Sequence, residues 1–281
     1  MNREKLRRWK IGLVLTAVMA VAAVPCKALA NEWVPAHTTP EQTARWWQWA
    51  LSIPSSVHPL AEKAADPAGD KYCMVGQEGK EWFLGGTFKV VDVSLESSQS
   101  ESENGGGTTI QEVVRNCEIP LGKSILIPVL NAECNTAEEL ALGNTVPQNT
   151  LEKAGYLRKC AKSVADHIDK STAKAFFGPV NSAGNWTKRP AEIKRVYTSL
   201  PFSVSYSSDN ILSGDCGENG EEPFLCDPDP NPSLAHADGY WAHVLPLSPG
   251  KYRLETFGEA PDFDFALKIT YTLTVVGPKD Q

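Results

Sequence analysis

The spacing of apolar residues changes along the chain, and the first clear pattern is helical. Residues 39–42 are Thr-Pro-Glu-Gln, which combines a capping Thr, a Pro at the first helical position and a Gln that can complete a capping box. Trp46, Trp49, Ala50 and Ile53 then follow at positions i, i+3, i+4 and i+7. This spacing places them on one helix face and predicts a helix near 39–53.

The pattern after this helix is typical of β-strands. Strand-like runs cover 82–84 and 87–95, and the continuously apolar run 125–130 is typical of a buried strand. Between them, residues 96–108 contain Ser, Glu, Asn and Gly and no large apolar side chain. Such a segment cannot pack into a core, so we predict a flexible loop near 96–108.

Helical composition returns over residues 136–178, where Leu157, Ala161 and Val164 lie on one face of a helix that Thr150 can cap. Pro249-Gly250 is suited to the centre of a type II turn between two strands. The remaining predicted strands cover 194–200, 202–206, 240–245, 252–257 and 263–276.

Short strands with helices in two blocks predict a fold that is mainly β with helical segments (α+β). The expected architecture is a disulfide-stapled β-sandwich decorated by helices. No Pro/Ser-rich linker divides residues 31–281, so we predict a single exported globular domain.

The first thirty residues have the composition of a signal peptide. Basic residues precede an apolar run of about 14 residues, and Ala28-Leu29-Ala30 is suited to signal peptidase cleavage. The run is shorter than the roughly 20 residues that a membrane-spanning helix needs. We therefore expect cleavage of residues 1–30, export to the periplasm or the extracellular space, and no membrane span after cleavage.

Charge excludes one large class of partners. The chain has a formal net charge of −7, and residues 1–30 hold six Lys or Arg and one acid, so cleavage leaves −12. A surface this acidic repels phosphate backbones, so nucleic-acid binding is not expected.

Cysteine usage agrees with export. Cys26 is lost with the signal peptide, and an even number of cysteines in an exported chain predicts disulfides. Six cysteines allow fifteen pairings, which sequence alone does not distinguish. Our hypothesis is sequential pairing, Cys73–Cys117, Cys134–Cys160 and Cys216–Cys226, of which the last is supported by a ten-residue separation that closes at little entropic cost. The six are Cys73, Cys117, Cys134, Cys160, Cys216 and Cys226.

An acidic stretch after Cys226 suggests a calcium loop. Oxygen-bearing side chains occupy positions 1, 3, 5, 7 and 12 of the calcium-loop spacing, although Pro232 stands where an EF-hand needs Gly. A solvated acidic loop is the alternative. The predicted ligands are Asp227, Asp229, Asn231, Ser233 and Asp238.

Other candidate chemistry is sparse. Neither G-x-S-x-G nor H-E-x-x-H occurs, and four acids are possible glycosidase carboxylates: Glu118, Glu133, Asp262 and Asp264. His236 and His243 are weak zinc candidates, since they point to opposite faces of a strand. Trp47 lies off the apolar stripe of the first helix, so it is the predicted exposed aromatic and candidate glycan-binding residue.

Three stretches resemble a family of exported bacterial proteins of unassigned activity: DPAGDKYCMVGQEGKEWFLGGTF, RNCEIPLGKSILIPVLNAEC and ADGYWAHVLPLSPGKYRLETFG with ITYTLTV. The resemblance implies a secreted single unit and the pairing of Cys73 with Cys117, and it implies no chemistry. The last stretch also resembles the strand–PG–strand corner of immunoglobulin-like modules.

These patterns predict an exported soluble binding or cell-envelope interaction protein without an identifiable catalytic motif. Its expected partner is a protein or a glycan. One alternative is a glycan-binding protein or glycan hydrolase, and another is a calcium-stabilised structural protein. We expect no cofactor unless the candidate calcium loop forms.

Overall fold

The computed structural model describes residues 36–60, 70–87, 110–213 and 225–277. Residues 33–281 form one compact unit. The predicted signal peptide, the predicted loop near 96–108 and most of the predicted strand 87–95 lie outside the described residues.

The predicted starts of the helices agree with the structure better than their predicted ends do. Thr39 Oγ1 accepts a hydrogen bond from Gln42 N (3.3 Å), and Gln42 Oε1 accepts one from Thr39 N (2.8 Å), which confirms the predicted capping box. The predicted helical block 136–178 is too long, because its last helix ends at Asp166 and a strand follows. The helices are α1 (Pro40–Ser52), α2 (Asp70–Cys73), α3 (Thr136–Ala141) and α4 (Thr150–Asp166).

Ten strands are seen in the described part of the chain. They are β1 (Glu81–Phe83), β2 (Ile110–Pro120), β3 (Ser124–Asn135), β4 (Lys174–Pro179), β5 (Arg189–Pro190), β6 (Lys194–Tyr197), β7 (Phe202–Val204), β8 (Ser233–Val244), β9 (Gly250–Ala260) and β10 (Phe265–Val276). The sequence patterns missed β4 and β5.

The strands form two five-stranded mixed sheets. The first has the order β1-β3-β8-β6, with β7 also paired to β8, and the second has the order β2-β10-β9-β4-β5. Pro249 lies in the connection between β8 and β9, and Gly250 is the first residue of β9. The predicted turn therefore belongs to a connection from one sheet to the other and does not close a hairpin.

The main core lies between the two sheets, which confirms a mainly β fold with helical segments. Ile125 and Ile127 of β3 share this core with Leu254 of β9 and Leu273 of β10. A second apolar cluster covers the opposite face of the first sheet, where the tryptophans of α1 pack against Trp241 of β8. The first sheet is therefore buried on both faces.

Disulfides connect helices to the sheets. Cys73 of α2 is bonded to Cys117 of β2, and Cys134 of β3 is bonded to Cys160 of α4, with Cα separations of 5.8 and 6.0 Å. Two of the three predicted pairs are therefore confirmed. Cys226 is disulfide-bonded, and its predicted partner Cys216 lies outside the described residues.

Among the described residues, no helix is both long and apolar enough to cross a bilayer.

A candidate ligand-binding cavity

A cavity of about 150 Å³, partly open to solvent, lies beside the second half of β3. Most of its wall is apolar: α1 contributes Trp46 and Trp47, α4 contributes Val164, and β10 contributes Leu267 and Ile269. The polar groups on the wall are few, and three of them are carboxyls, those of Glu133, Glu138 and Glu139. A mostly apolar pocket with a few convergent polar groups is typical of a small-ligand site.

The cavity meets β3 along the edge of the strand. All seven residues from 128 to 134 line it, although successive side chains of a strand point to opposite faces. On this edge β1 pairs only with Ser124, Ile125 and Leu126, and the last backbone bond joins Leu84 N to Leu126 O (3.1 Å). Beyond Leu126, no strand within the described residues pairs with this edge of β3.

The junction between β3 and α3 places the carboxyls. Glu133 is near the end of β3, and the chain enters α3 directly through Asn135, whose extended backbone makes it the N-cap of the helix. Asn135 Oδ1 accepts a hydrogen bond from Glu138 N (3.1 Å). This cap turns the chain at once, so that a strand residue and a residue in the first turn of the helix reach the same cavity.

Asn135 is fully buried and uses its side chain for four hydrogen bonds. Its Oδ1 also accepts from Ser233 Oγ (3.0 Å), and its Nδ2 donates to Glu133 Oε2 (3.2 Å) and to the Tyr206 hydroxyl (2.5 Å). Tyr206 in turn donates to Glu138 Oε1 (2.6 Å). Asn135 and Tyr206 therefore hold the two carboxyls in place through a network of hydrogen bonds.

Glu133 and Glu138 are neighbouring buried carboxyls, and the charge of Glu138 opposes ionisation of Glu133. Two negative charges close together in apolar protein repel each other, so ionisation of one carboxyl makes ionisation of the other harder. Burial in apolar protein raises the pKa of Glu133 well above its usual value, and the charge of Glu138 raises it further. Burial raises the pKa of Glu138 to about 7. The pair therefore retains a proton near neutral pH.

No Lys, Arg or His of the described chain forms an ion pair with Glu133 or Glu138. The charged groups that shift the pKa of Glu133 are Glu138 and Glu139, and none is a Lys, Arg or His of the described chain. The Oε1 oxygen of Glu133 is buried and accepts no hydrogen bond from any described donor. A buried oxygen without a donor costs free energy, so the charged form of Glu133 is unfavourable here.

Glu139 is bound more completely than its neighbours. It is 3% exposed, and its Oε2 accepts hydrogen bonds from Tyr156 (2.5 Å) and Asn144 Nδ2 (3.1 Å). In the described chain, the one group of three potential metal ligands within 4.8 Å is Cys134, Glu139 and Cys160. Both cysteines are in a disulfide and have no thiolate to offer, so this group does not suit a metal.

The structure separates the five predicted calcium ligands. Ser233 and Asp238 lie five residues apart in β8, about 16 Å along an extended strand. Asp238 is paired in bidentate fashion with Arg195 (2.8 and 2.7 Å), and Asn231 hydrogen-bonds to the backbone of Tyr206 (3.1 and 3.0 Å). Asp227 and Asp229 are exposed. The five side chains therefore cannot surround one ion as predicted, since ligand distances for calcium are about 2.5 Å.

Trp47 is only 6% exposed, so the predicted exposure is wrong. It packs edge-to-face against Trp46 with ring centroids 4.9 Å apart, because α1 buries a broader face than its apolar stripe suggests. Trp47 nevertheless lines the cavity. Its role in ligand binding stays a prediction.

The other candidate residues are dispersed. Glu118, Asp262 and Asp264 are exposed, and Asp264 precedes β10, so the two aspartates do not share a strand face. His236 Nδ1 lies 3.0 Å from Thr198 Oγ1, and His243 Nδ1 lies 3.3 Å from the His37 carbonyl. Of the candidate glycosidase acids, only Glu133 lines the cavity.

The chain matches no protein-family model, no curated protein and no solved structure. The site is therefore described by its own geometry.

Sequence reasoning missed Glu138, Asn135 and Tyr206. A signal for two of them is present in Asn135-Thr-Ala-Glu138, a capping pattern directly after a buried strand. Tyr206 carries no such signal, because it reaches the pair from a loop 68 residues after Glu138.

Proposed function

We propose that this chain is an exported binding protein whose ligand occupies the cavity beside β3. The ligand has an apolar body and a head group that donates hydrogen bonds. The observation that carries the proposal is the pair of buried carboxyls, Glu133 and Glu138, which have no counter-ion among the described residues and lie on a mostly apolar wall.

The apolar wall determines the polarity and size of the part of the ligand that lies in the cavity. A cavity of roughly 150 Å³ with mostly aliphatic and aromatic lining takes a group at least the size of a benzene ring, and its open side leaves room for the rest of a larger ligand. The head group follows from the carboxyls on the wall. Glu133 and Glu138 line the cavity, and a hydroxyl or amine that enters it can donate a hydrogen bond to one of them.

The same geometry argues against a glycan hydrolase. Two-carboxylate glycosidases separate their carboxyls by about 5 Å or more, so that substrate or water fits between them. The four predicted acids form no such pair: only Glu133 lines the cavity, and Glu118, Asp262 and Asp264 are exposed. Binding, without hydrolysis, is the better-supported function.

Binding is tested with the neutral fluorescent dye N-phenyl-1-naphthylamine, which has an apolar body and one N–H. We expect saturable fluorescence enhancement with the wild-type protein. Val164→Trp fills the cavity from α4 and should weaken binding at least tenfold, whereas Ser163→Trp places the same side chain on the exposed face of that helix and should not. No enhancement, or equal binding by all three proteins, would refute the proposal.

Export is supported by the composition of residues 1–30 and by the disulfides, which persist in oxidising compartments. Expression of the full chain in a Gram-negative host, followed by N-terminal sequencing of the periplasmic fraction, tests it. We expect mature protein that begins at Asn31. Uncleaved protein confined to the cytoplasm would contradict export.

A further inference from the structure

A cleft between α4 and β6 gathers three cations on the surface of an acidic protein. We infer that this α4–β6 cleft is a second binding site, which takes the phosphate group of a small soluble molecule. Arg158, Lys162 and Arg195 supply positive charge, and Tyr197 adds a hydroxyl. The inference goes beyond the proposed function, because it uses none of the residues that line the cavity beside β3.

Two elements place these side chains together. Arg158 and Lys162 are four residues apart on α4, so they leave the same helix face with their Cβ atoms about 5–6 Å apart. Arg195 and Tyr197 are two residues apart on β6 and point to one face of that strand. Because α4 packs against β8 and β6 pairs with β8, the two sets meet. All four side chains line an open cleft of about 350 Å³.

The side chains of the cleft are accessible to solvent. Lys162 has 62% of its side chain exposed and Arg195 has 30%. Tyr197 is 50% exposed, although large aromatic side chains are usually buried in a core. Arg158 is exposed as well. A small ligand can therefore reach all four from solvent.

The cluster retains unused positive charge and unused donors. Asp166 pairs with Lys162 and with Arg195 (2.7 Å), and Asp238 pairs with Arg195 (2.8 and 2.7 Å). Arg158 forms no ion pair with any described residue. Arg195 bonds through Nε and Nη2, and its Nη1 donates to no described acceptor. Three cations thus face two carboxylates, and the N–H groups of Arg158 and of Nη1 remain for a ligand.

Tyr197 positions Arg158 without neutralising it. The guanidinium lies over the ring, with Cζ 5.3 Å from the centroid, which is within the range of a cation–π contact. The charge of Arg158 also acts inside the protein, since burial lowers the pKa of His236 and the charge of Arg158 lowers it further. A guanidinium that is held in place and lacks a carboxylate partner is suited to phosphate oxygens.

The arrangement selects a phosphate group over a carboxylate and a small ligand over a polymer. A phosphate monoester carries nearly two negative charges and three strong acceptor oxygens, so it can use donors that arrive from both α4 and β6. The formal net charge of −7 repels a long polyanion or an anionic membrane surface. For a small anion these distant charges matter little, because salt screens them beyond about 8 Å.

NMR titration of backbone amides in chloride buffer tests the site, with inorganic phosphate and glycerol 3-phosphate as probes for the mature protein. Amides of Arg158, Lys162 and Tyr197 should shift saturably. Arg158→Gln should raise the Kd at least about tenfold, because a charge-assisted contact is lost. Arg158→Lys keeps the charge and should give an intermediate Kd. Arg189→Gln removes an exposed arginine of β5 outside the cleft and should change the Kd less than about twofold.

The results decide both the site and the source of the phosphate. If no amide in the cleft shifts, or if Arg158→Gln binds phosphate as wild type does, the site is wrong. Equal weakening by Arg158→Gln and Arg189→Gln would mean that net charge alone attracts the anion, which also refutes the site.

Sedimentation with phosphatidylglycerol vesicles separates the two sources of a phosphate group. We expect no sedimentation of the wild-type protein. Sedimentation that Arg158→Gln abolishes would make a lipid headgroup the ligand and refute the small soluble molecule. Failure of the dye to bind beside β3 would refute the proposed function alone, because the α4–β6 cleft is tested by its own amide shifts and variants.

Discussion

Asp238 and Glu133 are near neighbours with opposite electrostatic surroundings. They lie on the adjacent strands β8 and β3, in successive rungs of the same ladder, where Asp238 pairs with Ala132 and Glu133 pairs with Ala237. Because adjacent rungs point to opposite faces, Asp238 lies on the side of the sheet where α4 packs, and Glu133 faces α3 and Tyr206.

The two acids are compensated differently. Arg195 binds Asp238 through two hydrogen bonds and also pairs with Asp166 (2.7 Å). Glu133 has a second carboxyl beside it and a buried oxygen without a donor. The structure therefore provides a bidentate Arg for Asp238 on one face of the sheet, and among the described residues it provides no cation for Glu133 on the other face.

The largest effect is expected where the compensated pair is broken. Arg195→Met leaves the 6%-exposed side chain of Asp238 buried without its counter-ion, and we expect a loss of about 3–5 kcal/mol in the free energy of unfolding. Urea denaturation at pH 7 measures this loss.

Arg195→Met combined with Asp238→Leu is the control. Replacing both charged partners by apolar groups removes the unpaired charge, so most of the lost stability should return. A double variant no more stable than the single one would mean that the pair does not act through charge compensation.

Removing a carboxyl of the uncompensated pair should have the opposite effect on the free energy of unfolding, a gain of similar size. The pKa of Glu138 is raised from 4.5 to about 7, so the folded protein binds more protons than the unfolded chain between these values. The stabilising contribution of the protonated form is therefore complete below about pH 4.5 and is lost as the pH rises through about 7.

Glu138→Gln removes this titration. We expect the variant to gain up to roughly 3 kcal/mol relative to wild type at pH 8 and to gain little at pH 4. The exposed Glu118→Gln serves as a matched control without such a difference. Denaturation curves at the two pH values check this, and a gain that is equal at both would contradict the raised pKa.

The smallest effect is expected at an exposed ion pair of the same chemistry. Arg45 contacts both carboxylate oxygens of Glu81 (2.8 and 2.8 Å), but its side chain is 47% exposed. Arg45→Met should cost less than about 1 kcal/mol in urea denaturation. A cost as large as that of Arg195→Met would mean that pairing geometry, and not burial, determines how much an ion pair contributes to stability.

The sequence predicts the elements of this fold better than its site. The tryptophan stripe and capping box of α1 and the apolar run within β3 are local patterns, and the structure retains them. The calcium prediction failed because β8 begins at Ser233, so the chain is extended where a calcium-binding loop would have to be curved. The spacing of oxygen-bearing residues alone does not show whether a segment forms a curved loop or an extended strand.

The carboxyl pair also depends on contacts that no local pattern contains. Glu133 and Glu138 are five residues apart and meet because a strand turns directly into a helix at Asn135. Ser233 and Tyr206 complete the network from positions 98 and 71 residues away from Asn135. Only the pairing of β3 with β8 and the position of the loop after β7 bring these groups together.

The protonation of the pair is measured most directly by carbon-13 NMR of the glutamate Cδ atoms between pH 4 and pH 9, with Glu133→Gln and Glu138→Gln for assignment. We predict that one of the two carboxyls still carries a proton at pH 7. Complete ionisation of both below about pH 5, the range of ordinary glutamates, would contradict an uncompensated buried pair at this cavity.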